Sequence, residues 1–281
     1  MLLPVPWGIN PFDDYAVIDY GDCWLDVHNP SNVKDTIVAH ARTILEAGTR
    51  MLTLAGDHYI SYPLLLARAE KYGRPLSLIH FNAHCDPWPD EQPDGLNHGS
   101  MFYKAINDGQ AINDGLVNPA HSVQIGIRIL NDDFMGVPIL EAAWVHEHGV
   151  SSTIARIVEI VGARPTYFTL DVDGLDPAFA PGTGTPAPGG LSTAQALSIV
   201  RGLTAVDIIG ADVVEVAPAY DHADITALAA AHVASELICL FRHRGCFAVE
   251  TRELTATVSL PDSHGSTHLY RGSNFVIRIE E

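Results

Sequence analysis

Basic side chains are scarce. Sixteen lysines and arginines stand against 34 aspartates and glutamates, a formal net charge of −18 at pH 7. That balance argues against nucleic acid and against anionic membrane surfaces, which recruit positive faces. It favours small cationic ligands or metal ions. Cysteine is scarce too: Cys23, Cys85, Cys239 and Cys246 show no paired C-x-x-C spacing. A chain of 281 residues needs no disulfide staples, so reduced thiols and a cytoplasmic setting are expected. No apolar run reaches the roughly 18 residues that a membrane span requires. The opening "MLLPVPWGIN" lacks the basic start and sustained apolar core of a secretory leader. No internal repeat is visible.

What remains is 47% hydrophobic, enough to bury a large core. Short apolar runs rich in β-branched residues recur: "MLTLA" (51–55), "LSLIHF" (76–81), "SVQIGIR" (122–128), "TYFTLDV" (166–172) and "DIIGADVVEV" (207–216). Runs apolar on both faces predict strands of a parallel sheet covered by helices. Helical patterns lie between and beyond them, over 32–48, 61–73, 151–162, 191–203 and 224–241. Gly48 and Gly73 serve as stop signals, and the serines at 151 open the third as cap candidates. The alternation predicts an α/β, three-layer fold with a mostly parallel sheet over residues 1–242. Residues 243–281 change character and read as a small β-rich extension, with "FVIRI" as its clearest strand.

Ligands of α/β sheets sit where strands give way to loops at their carboxyl ends. Four sets of polar residues fall there. "LAGDHYI" offers Asp57 and His58. "HFNAHCDPW" offers Asn82, His84 and Asp86. "LDVDGLDP" offers Asp171, Asp173 and Asp176, and "VVEVAP" offers Glu215. Carboxylates crowded into one crevice repel unless protonated or bound to a cation. Mixed imidazole and carboxylate donors suit Mn²⁺ or another first-row divalent ion better than Ca²⁺. The set is too large for one ion, and two ions can share bridging carboxylates. Asp176, before Pro177, reads as turn chemistry. Cys85 is expected to point away from the metals. "PGTGTPAPGG" (181–190) lacks the Lys-Ser/Thr ending of a phosphate loop and reads as a site-rim loop. The remaining histidines are taken as surface residues.

The segments "GDHYISYPLL", "HFNAHCDPW", "LNHGSMF", "VQIGIR", "LDVDGLDPAFAPGTGTP" and "DVVEVAPAYD" resemble the signature segments of the ureohydrolases, the arginases and agmatinases, and most closely the agmatinase branch. The resemblance covers roughly residues 20–240, in family order. It implies the arginase-like fold, an eight-stranded parallel sheet between helical layers, and two divalent metal ions, manganese in this family. By position, His58 and His84 would each hold one metal. Asp86 would bind the first and Asp173 the second, and Asp171 would bridge them. His98 matches the family's active-site histidine, and Glu215 matches the glutamate that holds the guanidinium. The implied reaction is hydrolysis of a cationic guanidino compound to urea and an amine, agmatine to putrescine, a step of polyamine synthesis. His98 would shuttle the proton to the leaving amine, and Asp86 would hydrogen-bond the metal-activated hydroxide.

Two features depart from the pattern. The second bridging carboxylate falls at position 82, where this chain has Asn. An amide offers one carbonyl oxygen and cancels no charge, so the expectation is weakened occupancy of at least one metal and a less acidic bound water. The region ahead of "YAVIDYGD" is short beside family members, which carry a central strand and an Arg-Gly-Pro loop there. The strand edge left open would be a pairing liability, to be covered by the carboxy-terminal extension or another subunit. Two readings follow: an agmatinase-like enzyme, or a non-catalytic paralogue serving as the structural or regulatory subunit of a hetero-oligomer. A variant of the first acts on another guanidine or biguanide. The expected assembly is a homo-oligomer, trimer or hexamer, or a hetero-oligomer with a homologous subunit.

Overall fold

The computed structural model describes residues 7–243, apart from 9, 15–16, 27, 74, 90–96, 108–114 and 130–133, together with 274–278. The elements run in the order α1 (Pro11–Asp14), β1 (Val17–Asp22), α2 (Val33–Glu46), β2 (Arg50–Leu54), α3 (Ser61–Tyr72), β3 (Ser77–Phe81), α4 (Met101–Asn107) and β4 (Val123–Ile127). They continue with β5 (Ile139–Glu141), α5 (Ala142–Val161), β6 (Pro165–Asp171), α6 (Thr193–Gly202), β7 (Asp207–Val214), α7 (Ile225–His243) and β8 (Asn274–Arg278).

The strands form one eight-stranded sheet in the order β1-β8-β2-β7-β6-β3-β4-β5. Every pairing in it is parallel. This is the three-layer arginase-like α/β architecture that the sequence predicts. β3 and β4 are buried at every position, as strands covered on both faces must be. One apolar cluster lies under α5, α6 and α7, with Val145, Ile157, Ile199, Val233 and Leu237 at its centre. The other lies under α2, α3 and α4, with Ile37, Ile44, Leu64 and Phe102.

Most helix boundaries follow the sequence signals. α2 ends at Glu46 with Gly48 at φ 77°, and α3 ends against Gly73 at φ 87°. α6 starts with a complete capping box between Ser192 and Gln195. The third predicted helix is longer than expected. It begins at Ala142 and kinks at Gly149, where φ is 77° and ψ 172°, so the serines at 151 restart a helix already under way. α4 and β5 are too short to show a period, and β1 has no alternation of burial along it.

The expected extension over 243–281 lies mostly outside the described residues. Its one described strand, β8, joins the main sheet. It pairs with β1 from Val17↔Asn274 to Asp22↔Arg278 and with β2 from Arg50↔Asn274 to Leu54↔Arg278. Among the described residues β1 has no other partner strand. Deleting residues 274–281 is therefore expected to detach β1 and expose two strand edges. The expected cost is about 3 kcal/mol, or roughly a 10 °C fall in melting temperature. Differential scanning calorimetry measures it, and an unchanged melting temperature would contradict this role for β8.

Candidate metal centre and substrate site

β2, β7, β6 and β3 are consecutive neighbours in the sheet, and all run the same way. Their carboxyl ends therefore open on one edge, and each delivers polar residues to it. Backbone bonds tie the ends together: Glu215 N donates to Gly56 O at 2.7 Å, and Asn82 N to Ile125 O at 3.1 Å. The turn after β6 lies directly against the end of β3. A Cβ on Gly174 would sit 2.9 Å from Asn82 N, so only glycine permits that approach.

Two groups of side chains form there. In the first, His58 Nδ1 is 3.2 Å from Asp171 Oδ2 and 3.5 Å from Asp86 Oδ2. In the second, His84 Nδ1 is 2.9 Å from Asp173 Oδ2. The two are linked through the chain, because Asp173 N donates to Asp171 Oδ1 at 2.9 Å. Asp173 Oδ1 accepts from Ala83 N at 2.8 Å, and Thr185 Oγ1 donates to its other oxygen at 3.2 Å. The first group is almost fully buried, whereas His84 is partly exposed.

The remaining predicted residues are distributed as follows. Glu215 Oε1 accepts from the backbone N–H of His58 at 2.8 Å, which sets its carboxyl beside the first group. His98 is exposed, in a turn whose next two residues, Gly99 and Ser100, are buried, and it is close enough for its charge to act on both His58 and Glu215. Asp57 caps the turn that carries His58, accepting from Tyr59 N at 2.8 Å. Asp176 accepts from Ala178, Gly189 and Gly190 backbone N–H groups, as turn chemistry requires. Cys85 is buried and its Sγ contacts the Ile129 carbonyl, away from the two groups.

Asn82 faces the centre with the wrong end for a ligand. Its Oδ1 accepts from His84 N at 2.7 Å, and its Nδ2 donates to Asp86 Oδ2 at 2.5 Å. A backbone N–H can bond only to the oxygen, so the amide orientation is fixed. The side chain presents N–H groups to the cavity.

Two of the carboxylates sit on unusual backbone. Asp86 has φ 54° and Glu215 φ 64°, in the left-handed region that costs a non-glycine residue roughly 1 kcal/mol or more. Both are turned from their strands toward the cavity. Arg128 stabilises the surrounding loops. Its guanidinium donates to the carbonyls of Gly126 (2.9 Å), Asp173 (2.6 Å), Leu175 (3.1 Å) and Ala187 (2.6 Å). The metal-loop backbone after β6 and the rim loop over 181–190 are thereby fastened to the end of β4.

The electrostatics are those of a site built for positive charge. Burial, and then the neighbouring Asp173 and Glu215, push the Asp86 and Asp171 carboxyls well above the usual range. Burial raises Glu215 to about 6. Burial lowers His58 to about 3, so its imidazole is neutral with a lone pair free to ligate. Hydrogen bonds from His84 and the Ala83 N–H outweigh burial at Asp173 and hold it low. Acids that cannot all ionise together, beside neutral imidazoles, fit a divalent cation that removes the repulsion.

One member of the centre is absent from the sequence reading. His80, taken as a surface histidine, is 0% exposed and stands beside His58 and Asp86. Its signal was available: His80, Asn82 and His84 follow one another at alternate positions along the end of β3.

The sequence profile of the arginase family matches residues 3–239. The agmatinase of Chromobacterium violaceum is 60% identical over 243 residues, spanning 86% of this chain and 74% of that protein. A crystal structure of a hypothetical agmatinase from Burkholderia thailandensis superposes with a TM-score of 0.83 at 66% identity, covering 87% of this chain and 76% of that one. The proclavaminate amidino hydrolase of Streptomyces clavuligerus superposes with a TM-score of 0.78 at 38% identity, covering 84% and 79%.

The raised acids carry a linkage. Without a cation, the folded chain holds the Glu215 proton up to about pH 6, whereas the unfolded chain releases it near the ordinary value. That contribution to stability is complete below the unfolded pKa and is lost as pH rises through about 6. Cation binding does the reverse, because it requires the ionised carboxylates. Adding Mn²⁺ near pH 6 is expected to release protons from its ligands Asp86 and Asp171 and to raise the melting temperature, with apparent affinity falling as pH drops. Titration calorimetry in two buffers of different ionisation enthalpy measures the protons, and zero release would contradict the assignment.

Proposed function

Since the chain belongs to the arginase family, we propose that it is an amidinohydrolase that converts agmatine to urea and putrescine at the shared edge of β2, β7, β6 and β3. The observation that carries this reading is the convergence of His58, Asp86, Asp171, Asp173, His84 and Glu215 at four neighbouring strand ends, in a chain 60% identical to a protein named agmatinase.

His58, Asp86 and Asp171 would hold one divalent ion, and His84 and Asp173, with Asp171 shared, a second, manganese being the family's metal. Bound there, the pair supplies hydroxide near neutral pH by lowering the pKa of water. The chain's own residues do the rest. Glu215, fixed by the His58 N–H at 2.8 Å, pairs with the planar guanidinium and turns its carbon toward the ions. The hydroxide that the ions would supply when bound would add to that carbon. The C–N bond to the aliphatic amine then breaks, and His98 gives the departing nitrogen its proton. Asp86 would accept a hydrogen bond from that hydroxide and hold its orientation. The exposure of His98 lets it recover a proton from solvent after each turnover.

Among the described residues no helix is long and apolar enough to cross a membrane, which is consistent with a cytoplasmic enzyme, and a homo-oligomer is the assembly we propose. Two substitutions separate the roles. Glu215→Gln is expected to lower kcat/KM about 100-fold, mainly through KM, because a charge-assisted pair is lost. His98→Asn is expected to lower kcat about 100-fold or more with little change in KM. Urea release from agmatine at saturating Mn²⁺ is the direct assay, for the chain itself and for Asn82→Asp, which is expected to be faster. Absence of urea from both would overturn the reading, and release only from another guanidine or a biguanide would redirect it.

A further inference from the structure

One buried imidazole takes no part in the chemistry above. His80 is 0% exposed, and neither of its ring nitrogens has a hydrogen-bond partner. Buried polar atoms in folded proteins are nearly always paired, and an orphan commonly marks the place of an ion or water. Phe102 packs edge-on against the ring at 4.3 Å between centroids, and His58 lies edge-on at 5.3 Å. Nε2 is 3.8 Å from Asp86 Oδ2. That is too long for a hydrogen bond and suits two donors facing one cation. Ligand atoms of His58, His80 and Asp86 all lie within 4.8 Å of one another. Next to them Asn82 points Nδ2 at Asp86, and so lends no lone pair to the same space.

We propose that His80 is a ligand of the cation that His58 and Asp86 hold, taking the donor place that the amide at 82 leaves vacant. This rests on the reading of the centre as a cation site and adds a residue outside the set that the family pattern assigns. His58 and His80 with the Asp86 and Asp171 carboxylates form a donor set richer in nitrogen than one with a further carboxylate in the place of His80. Such a set favours Fe²⁺, Co²⁺ or Zn²⁺ over Mn²⁺. His80 and Asn82 are then coupled: an Asp at 82 would restore the carboxylate and make the third imidazole dispensable.

The test uses the full chain, with Co²⁺ as probe. Stoichiometry and affinity come from calorimetry, and the ligand field from the visible spectrum. His80→Phe is expected to weaken one Co²⁺ site about 100-fold and to shift its absorption. The same substitution in the Asn82→Asp background is expected to change affinity by less than about threefold. An equal loss in both backgrounds would overturn the proposal, because it would mean that His80 acts through packing. An unchanged spectrum and affinity would overturn it as well. A second measurement leaves position 80 intact: in His84→Ala, pulsed EPR of the bound Mn²⁺ is expected to count two coordinated imidazoles, and a count of one overturns the proposal. Failure of the unsubstituted chain to bind any Co²⁺ would overturn the cation-site reading itself, and this inference with it.

Discussion

Ionised carboxylates repel, and this fold holds Asp86, Asp171 and Asp173 together with almost no water around them. Everything near the site answers to that constraint. The sheet order brings four carboxyl ends to one edge, where the loops are polar and the strands below them are not. Hydrogen bonds from His84 and the Ala83 N–H favour the ionised form of Asp173, while burial disfavours it at Asp86 and Asp171 in the absence of a cation. The neutral imidazoles between them supply donors that add no further charge.

The surrounding structure is rigid because the site needs it to be. Asp86 and Glu215 occupy left-handed backbone, a cost the rest of the fold must absorb. Arg128 gathers carbonyls from β4, from the turn after β6 and from the rim loop. Movement of any one of these segments would therefore break bonds to the others. Such preorganisation sets donor atoms in place before substrate enters, so little binding energy is lost in ordering them.

Much of this was legible in the residues. The five apolar runs each became a strand, because a strand covered on both faces has to read as a continuous apolar stretch. The polar residues just beyond four of them met because parallel neighbours share one edge. β1 and β5 were not legible, since β1 shows no alternation of burial and β5, at three residues, is too short to carry one. The kink at Gly149 hid the first half of α5: the serines just beyond it read as a start, and the helix begins at Ala142. His80 escaped as one histidine counted among the surface ones, although it stands at alternate positions with Asn82 and His84. The orientation of Asn82 was equally hidden, because it depends on the His84 N–H, a contact set by the backbone turn.

β8 pairs between β1 and β2, yet most of the chain separates it from them in sequence. Translation runs from the amino terminus, so β1 and β2 leave the ribosome well before β8, the strand that pairs with both. For that interval the nascent protein carries two open parallel edges beside a half-formed core, the kind of exposure that invites intermolecular pairing. Closure of the sheet is then a late, long-range event. Yield from the cell would depend on how fast the final segment is delivered as much as on the stability of the finished fold.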